Sequence, residues 1–155
     1  PMSARRQRQM CIRDRATEVP VATEGGAYLT VRDEDKENLV PVAQELVAIG
    51  FTLYATEGTA DALRRHDIPV TTVYRIAEGK HPDALDLMRQ GKVSFIVNVP
   101  TVSGGAVRDG NMMRRLAVEL NIPFVTTMRG ASMEVAAMRA HIEEDLQPRK
   151  LTVHY

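Results

Sequence analysis

The sequence contains one cysteine, Cys11, and no tryptophan, and none of its apolar runs approaches the roughly 20 residues of a membrane-spanning helix. A single cysteine excludes an internal disulfide and any zinc or iron–sulfur site built from several cysteines. The four histidines show no metal-ligand spacing, so we expect no bound metal. These absences favour a reducing, cytoplasmic setting and predict no membrane partner.

The chain also has no net charge, because its 20 basic and 20 acidic side chains balance at pH 7. The whole-chain charge therefore predicts no nucleic-acid partner. The charge is unevenly distributed, however, and five of the arginines fall within residues 1–15. We interpret residues 1–24 as a disordered basic arm and linker, and residues 25–155 as one folded domain. Nucleic-acid binding through the arm is an alternative, but no aromatic side chain lies among its arginines to stack on a base.

With 155 residues and 44% hydrophobic side chains, the chain can bury a core without help from a metal or a disulfide. Short apolar runs alternate with amphipathic segments from residue 27 onward, which predicts an α/β domain with a mainly parallel sheet covered on both faces. The predicted strands cover residues 27–31, 51–55, 70–74, 93–97 and 122–126, with a further edge strand at 151–155. The predicted helices cover residues 38–49, 59–66, 83–90, 111–120 and 131–146, with a loop at 99–109. Pro41 fits the first helix if Asn38 is its N-cap.

Hydroxyl, amide and cationic side chains follow the predicted strands, at the edge where parallel sheets bind ligands. Residues 56–59 follow the second strand and offer two threonine hydroxyls at the start of a helix, an arrangement that complements a phosphate. Lys36 and Arg75 follow the first and third strands and add positive charge. Threonines before a helix can also act simply as caps. Because compatible side chains follow all five strands, the pattern favours an anion-binding site.

Three groups of residues together resemble a known family. They are TVRDEDK at 30–36, GF at 50–51 with ATEGTA at 55–60, and RR at 114–115 with IPFVTT at 122–127. In order and spacing they resemble the C-terminal regulatory domain of the carbamoyl phosphate synthetase large subunit, a member of the methylglyoxal-synthase-like group. The resemblance covers roughly residues 25–145. It implies a Rossmann-like three-layer sandwich with a mainly parallel central sheet.

The same resemblance implies an allosteric domain that binds a nucleotide monophosphate such as UMP or IMP. Through this effector the domain would control carbamoyl phosphate synthesis for the pyrimidine and arginine pathways. The implied protein partners are the catalytic portion of the synthetase large subunit, the glutaminase small subunit and further copies of the domain in a homo-oligomer. No cofactor is implied for the domain itself, since ATP and Mg would bind only in the parent enzyme.

The resemblance also assigns roles to individual residues of this chain. The positions implied to contact the effector phosphate are Thr30, Lys36, Thr56, Gly58, Thr59 and Arg75. Asn98 and Thr101 are implied to contact the base or ribose, and Thr126 lies in a stretch linked to ornithine in some members. The chain departs from the family pattern in two places. Arg75 stands where lysine is common, and the slightly longer loop after Asn98 carries Gly104-Gly105 where a basic residue is usual.

Free-standing methylglyoxal synthase, a lyase that acts on dihydroxyacetone phosphate, is the alternative within the same group. That enzyme needs a carboxylate base beside the phosphate and places aspartates after the third and fourth strands. The corresponding segments here read EGKH at 78–81 and NVP at 98–100, so neither aspartate is present. Glu78 and Asp83 are nearby acids whose positions suit a turn and a helix cap. Ser103 also lacks the Gly-x-Ser-x-Gly context of a nucleophile, and we expect no catalytic residue.

Overall fold

The computed structural model describes residues 22–101 and 104–146. The five strands are β1 (Gly26–Val31), β2 (Thr52–Thr56), β3 (Thr71–Val73), β4 (Phe95–Val99) and β5 (Phe124–Val125). The five helices are α1 (Lys36–Ile49), α2 (Glu57–Arg64), α3 (Ala84–Arg89), α4 (Gly104–Leu120) and α5 (Met128–Leu146). Short 3₁₀ turns occupy Asp33–Asp35 and Ile76–Glu78. Most of the predicted arm and linker and the predicted edge strand at 151–155 lie outside the described residues.

All the strand pairings of the sheet are parallel, and the strands lie in the order β3-β2-β1-β4-β5. The prediction of a parallel α/β sheet is therefore confirmed. From β1 the chain first adds strands on one side of the sheet and then crosses over to place β4 on the other. The carboxyl ends of β1 and β4 thus flank a topological switch point, where open parallel sheets leave a crevice for ligands.

Helices cover both faces of the sheet, which makes three layers. On one face, α1, α2 and α5 pack their apolar side chains against Leu29, Leu53 and Val97. On the other face, α3 and α4 pack against Tyr28, Val73 and Ile96. The alternation of β1 side chains between these two clusters follows from the two-residue period of a strand. The Rossmann-like three-layer sandwich implied by the family resemblance is confirmed.

The strand β4 is buried at every position, Asn98 included. A continuous apolar run of this kind is typical of a parallel strand with helices on both faces. Both ends of the strand lie two residues later than the predicted range of 93–97. The reason is its pairing with β1, which runs from the Ala27–Phe95 partners to the Val31–Val99 partners. This extension brings Asn98 into the sheet as a buried polar residue beside Thr30.

The prediction that Asn38 caps the first helix is wrong. The 3₁₀ turn at Asp33–Asp35 leads directly into α1, so the helix begins at Lys36 with Asp35 as its N-cap. Pro41 consequently lies inside the helix rather than at its start. The ring is exposed. Because proline has no N–H, the helix lacks one hydrogen bond, the one that the carbonyl of the exposed Glu37 would accept. Solvent can satisfy that carbonyl, which explains why the proline is tolerated.

The predicted starts of three further helices are also corrected. The helix α4 begins at Gly104, within the predicted 99–109 loop, α2 begins at Glu57 rather than residue 59, and α5 begins at Met128 rather than residue 131. Glycines lower intrinsic helix propensity, which favoured a loop in the sequence. In the folded chain, Gly110 packs closely against Asn98, and Met113 and Ala117 pack on the sheet. These tertiary contacts override the local propensity.

Candidate ligand-binding site at the switch point

A cavity of about 370 Å³ lies at the carboxyl ends of β1, β2 and β4, at the switch point of the sheet. Its volume falls within the roughly 300–1,000 Å³ typical of small-molecule sites. The walls come from the first turns of α1 and α2, from residues 75–77 and from the first half of α4. The lining includes eight residues singled out in the sequence: Thr30, Lys36, Thr56, Gly58, Thr59, Arg75, Asn98 and Thr101.

Three polar side chains form a row across the floor of the cavity. Thr30 pairs with Asn98 in the register of β1 and β4, and Thr30 Oγ1 lies 3.4 Å from Thr56 Oγ1 on β2. Asn98 and Thr56 are buried, and Thr30 is half-buried. Parallel strands place their carboxyl ends at one edge, so residues far apart in sequence meet here.

The start of α2 offers unused hydrogen-bonding groups to the cavity. Thr56 is the N-cap residue by position, but its side chain makes no capping hydrogen bond. The hydroxyl oxygen of Thr59, whose side chain is 2% exposed, accepts a long hydrogen bond from Val31 N at 3.4 Å. That contact orients Thr59 and leaves its hydroxyl proton to donate. Together with the first-turn amides and the positive end of the helix dipole, these groups form an arrangement suited to an anion.

The ammonium of Lys36 lies beside the first turn of α2. A β-carbon on Gly58 would stand 3.2 Å from Lys36 Nζ, so this glycine leaves room for the lysine. Lys36 Nζ also forms an ion pair with the exposed carboxylate of Asp33. The hydrogen bond and charge of Lys36 lower the pKa of Asp33, with a smaller contribution from Arg75. An anion entering the cavity would therefore compete with Asp33 for Lys36.

The wall formed by residues 75–77 is fixed by two carboxylates. Arg75 N donates to Glu78 Oε2 at 2.8 Å, and Ala77 N donates to Asp109 Oδ2 at 3.3 Å. Asp83 accepts from Asp86 N at 3.0 Å and caps α3. Glu78 and Asp83 thus have the turn and cap contacts that their positions in the sequence suggested.

Tyr28 and Asp109 are among the lining residues that the sequence did not single out. Tyr28 lies on β1 two positions before Thr30 and on the same face, and Asp109 lies on α4. The period-two alternation of β1 could have identified Tyr28, but the residue was part of an apolar run. Asp109 fell in a segment predicted as a loop. Thr126 follows β5, is half-buried and does not line the cavity, so its link to ornithine stays a prediction.

His81, Asp83 and Asp86 bring ligand-type atoms within 4.8 Å of one another beside α3. His81 Nδ1 lies 2.5 Å from Asp86 Oδ2, and the two aspartates form the capping box of the helix. The hydrogen bond and charge of Asp86 raise the pKa of His81, while the His81 hydrogen bond lowers the pKa of Asp86. These contacts give all three side chains partners within the cap itself.

The model of the MGS-like domain family matches residues 38–126, which is more than half of the chain. The chain belongs to the MGS-like domain family. The matched region contains most of α1, all of α2 and the carboxyl ends of β2 and β4, whereas Thr30 and Lys36 lie just before it. None of the described helices is long and apolar enough to cross a membrane.

Curated relatives match a longer stretch of the chain than the family model does. The chain is 45% identical over 124 residues to the carbamoyl phosphate synthase large chain, C-terminal section, of Methanocaldococcus jannaschii, and 43% identical over 115 residues to that of Methanopyrus kandleri. It is 40% identical over 114 residues to the carbamoyl phosphate synthase large chain of Methanosarcina barkeri. The matches cover 79%, 74% and 74% of this chain but only 19%, 21% and 10% of those relatives.

Proposed function

We propose that the chain is the allosteric regulatory domain of a carbamoyl phosphate synthetase large subunit, and that its cavity binds a nucleotide monophosphate such as UMP or IMP. The observation that carries the proposal is the composition of one cavity. Cations, hydroxyls and a helix N-terminus lie at one end, and neutral polar side chains lie on the floor. A nucleoside monophosphate has the same division between a charged and an uncharged part.

The phosphate is proposed to lie between Lys36 and the first turn of α2. Lys36 and Arg75 supply positive charge, and the hydroxyls of Thr56 and Thr59 supply donors. Hydrogen bonds from charged donors to phosphate are shorter and stronger than neutral ones. Thr30 adds a third hydroxyl at the floor of the cavity, where its Oγ1 lies 3.4 Å from Thr56 Oγ1.

The nucleoside is proposed to extend from the phosphate toward β4 and α4. Asn98 presents an amide that can both donate and accept, and Thr101 lies on the loop that follows. Because Gly105 and Ala106 are small, this wall leaves space for a ring system. The base or ribose would contact these residues.

The proposed protein partners follow from the relatives, which are named as carbamoyl phosphate synthase large chains and of which the match covers only 19% and 21%. The domain would adjoin the catalytic portion of the large subunit, which works with the glutaminase small subunit. Effector binding would control carbamoyl phosphate synthesis for pyrimidine and arginine production, with ATP and Mg bound in the catalytic portion. Self-association of the domain stays a prediction of the resemblance.

Isothermal titration calorimetry of the purified chain tests the nucleotide site. UMP or IMP should bind saturably, whereas uridine and inosine, which lack the phosphate, should bind weakly or not at all. Equal affinity for a nucleoside and its monophosphate would contradict a phosphate site at α2. Absence of binding by all four compounds would contradict the effector assignment.

A lyase of the methylglyoxal synthase type is the second candidate, and one observation favours it. Asp109 places a carboxylate in the same cavity as the anion-binding groups, although its Oδ2 accepts from Ala77 N. Proton abstraction from dihydroxyacetone phosphate would need such a base. Release of methylglyoxal by the wild type, abolished by Asp109→Asn, would favour the lyase, and we expect no release above the buffer background.

A further inference from the structure

The ring of Tyr28 is buried in the middle of the sheet. The residue lies on β1 between Tyr54 of β2 and Ile96 of β4, and only 3% of its surface is exposed. Its side chain faces α3 and α4 and packs with the apolar cluster that contains Val73 and Met113. Tyr28 nevertheless contributes to the lining of the cavity. Packing against this cluster and the neighbouring strands fixes the ring, so its hydroxyl has a defined position at the cavity.

The hydroxyl of Tyr28 makes no hydrogen bond with any residue that the structure describes. Among the described residues, no fully buried side-chain nitrogen or oxygen lacks a hydrogen-bond partner, so the unpaired Tyr28 hydroxyl is open to the cavity, where a ligand can reach it. Burial raises the pKa of Tyr28, with further contributions from the charges of Asp109 and Asp83, while Arg75 acts in the opposite direction. The phenol therefore keeps its proton and can act as a donor.

The position of Tyr28 separates it from the proposed phosphate site. Tyr28 precedes Thr30 by two residues on the same face of β1, which corresponds to about 7 Å along a strand. The carboxylate of Asp109 lines the same cavity, and together with that of Asp83 it acts electrostatically on the Tyr28 hydroxyl. A second anion would be repelled there, so the matching ligand group is an uncharged hydrogen-bond acceptor.

We propose that Tyr28 is a specificity-determining residue, whose hydroxyl donates a hydrogen bond to an uncharged oxygen or nitrogen of the nucleoside while the phosphate is held at α2. The inference rests on the proposed function, because it concerns the inner part of the same nucleotide site. Inorganic phosphate can occupy the outer part without reaching Tyr28. The residue thus favours ligands that carry a ring system beyond the phosphate.

Calorimetry on the full chain with UMP, IMP and inorganic phosphate tests the proposal. Tyr28→Phe removes the hydroxyl and keeps the ring, so it should weaken the nucleotide that binds the wild type by about 3- to 10-fold. It should leave the affinity for inorganic phosphate unchanged. Tyr54→Phe is the matched control, since Tyr54 is the neighbouring tyrosine on the same sheet face and does not line the cavity. It should change neither affinity.

A spectroscopic measurement complements the affinities. In protein with carbon-13 at tyrosine Cζ, the Tyr28 resonance, assigned by its loss in Tyr28→Phe, should shift with the nucleotide and not with inorganic phosphate. Unchanged nucleotide affinity in Tyr28→Phe, with Lys36→Ala still weakening it, would overturn the role of Tyr28 and leave the nucleotide site in place. Equal weakening of nucleotide and inorganic phosphate by Tyr28→Phe would also overturn it. Absence of any nucleotide binding by the wild type would overturn the proposed function and this inference together.

Discussion

The side-chain amide of Asn98 occupies the space in which any residue but glycine at position 110 would carry its β-carbon. A β-carbon built on Gly110 would lie 2.6 Å from Asn98 Nδ2. Both residues are buried, so α4 packs directly on the end of β4 and holds the amide at the cavity. The same contact explains why a glycine-containing segment is helical in this chain.

Gly110→Ala should therefore disturb both the fold and the cavity. Overpacking of this kind typically costs about 1–3 kcal/mol, and the amide of Asn98 must move to relieve it. We expect urea unfolding to show a stability loss in this range and calorimetry to show weaker nucleotide binding. Gly105→Ala is the control for stability, since a β-carbon there meets no atom within 4 Å and alanine favours the helix. Wild-type stability and binding in Gly110→Ala would show that the close approach has no effect.

Removal of the carboxylate that pairs with Lys36 should strengthen anion binding. In Asp33→Asn the lysine loses its competing partner and the site loses a negative charge. Because solvent screens exposed ion pairs, we expect only a small gain in affinity for the nucleotide, of up to about fivefold. The Lys36 contact lowers the pKa of Asp33, so the carboxylate is ionised throughout the neutral range and the gain should not vary there. Weaker binding in Asp33→Asn would mean that Asp33 itself contacts the ligand.

The pair formed by His81 and Asp86 should be visible in an NMR pH titration. Asp86 raises the pKa of His81, and Asp86→Asn should return it toward the ordinary histidine value of about 6.5. The contribution of His81 to stability is present below that value and is lost as the pH rises through its raised folded pKa. The contribution of Asp86, whose pKa is lowered, is present above the ordinary aspartate pKa and is lost as the pH falls through the folded one. An unchanged His81 pKa in Asp86→Asn would contradict the pairing.

Lys36 and Thr59 should act on the same phosphate rather than independently. Thr59→Val keeps the shape of a buried side chain and removes the hydroxyl, so it should weaken nucleotide binding without unfolding the domain. In a double-mutant cycle, the combined loss should be smaller than the sum of the two single losses, because both groups contact one ligand group. Strict additivity, measured by calorimetry, would place the two residues at separate sites.

The sequence was most informative where periodicity determines the structure. The alternation of strands and helices predicted a parallel sheet, and the carboxyl ends of parallel strands necessarily meet at one edge. For this reason the strand pattern predicts that residues as distant as Lys36 and Asn98 meet at that edge, and both line the cavity.

Other features depend on packing that the sequence does not encode locally. Tyr28 reaches the cavity because the register of β1 with its neighbours turns its face toward α4. Asp109 reaches it because α4 starts at Gly104, against the low helix propensity of its glycines. The helical position of Pro41 likewise depends on the 3₁₀ turn that precedes α1. The positions of these three residues therefore depend on a tertiary contact or on a neighbouring turn.

Titration of the nucleotide into Lys36→Ala tests the central claim most directly. A hydrogen bond to a charged group contributes about 1.5–3 kcal/mol, so the variant should bind UMP or IMP about 10- to 150-fold more weakly than the wild type. Lys92→Ala removes the same charge beside the opposite, amino-terminal ends of the strands, where the Lys92 carbonyl approaches Gly26, and should bind like the wild type. If Lys36→Ala and Lys92→Ala both bind the nucleotide with wild-type affinity, the phosphate does not lie between Lys36 and α2.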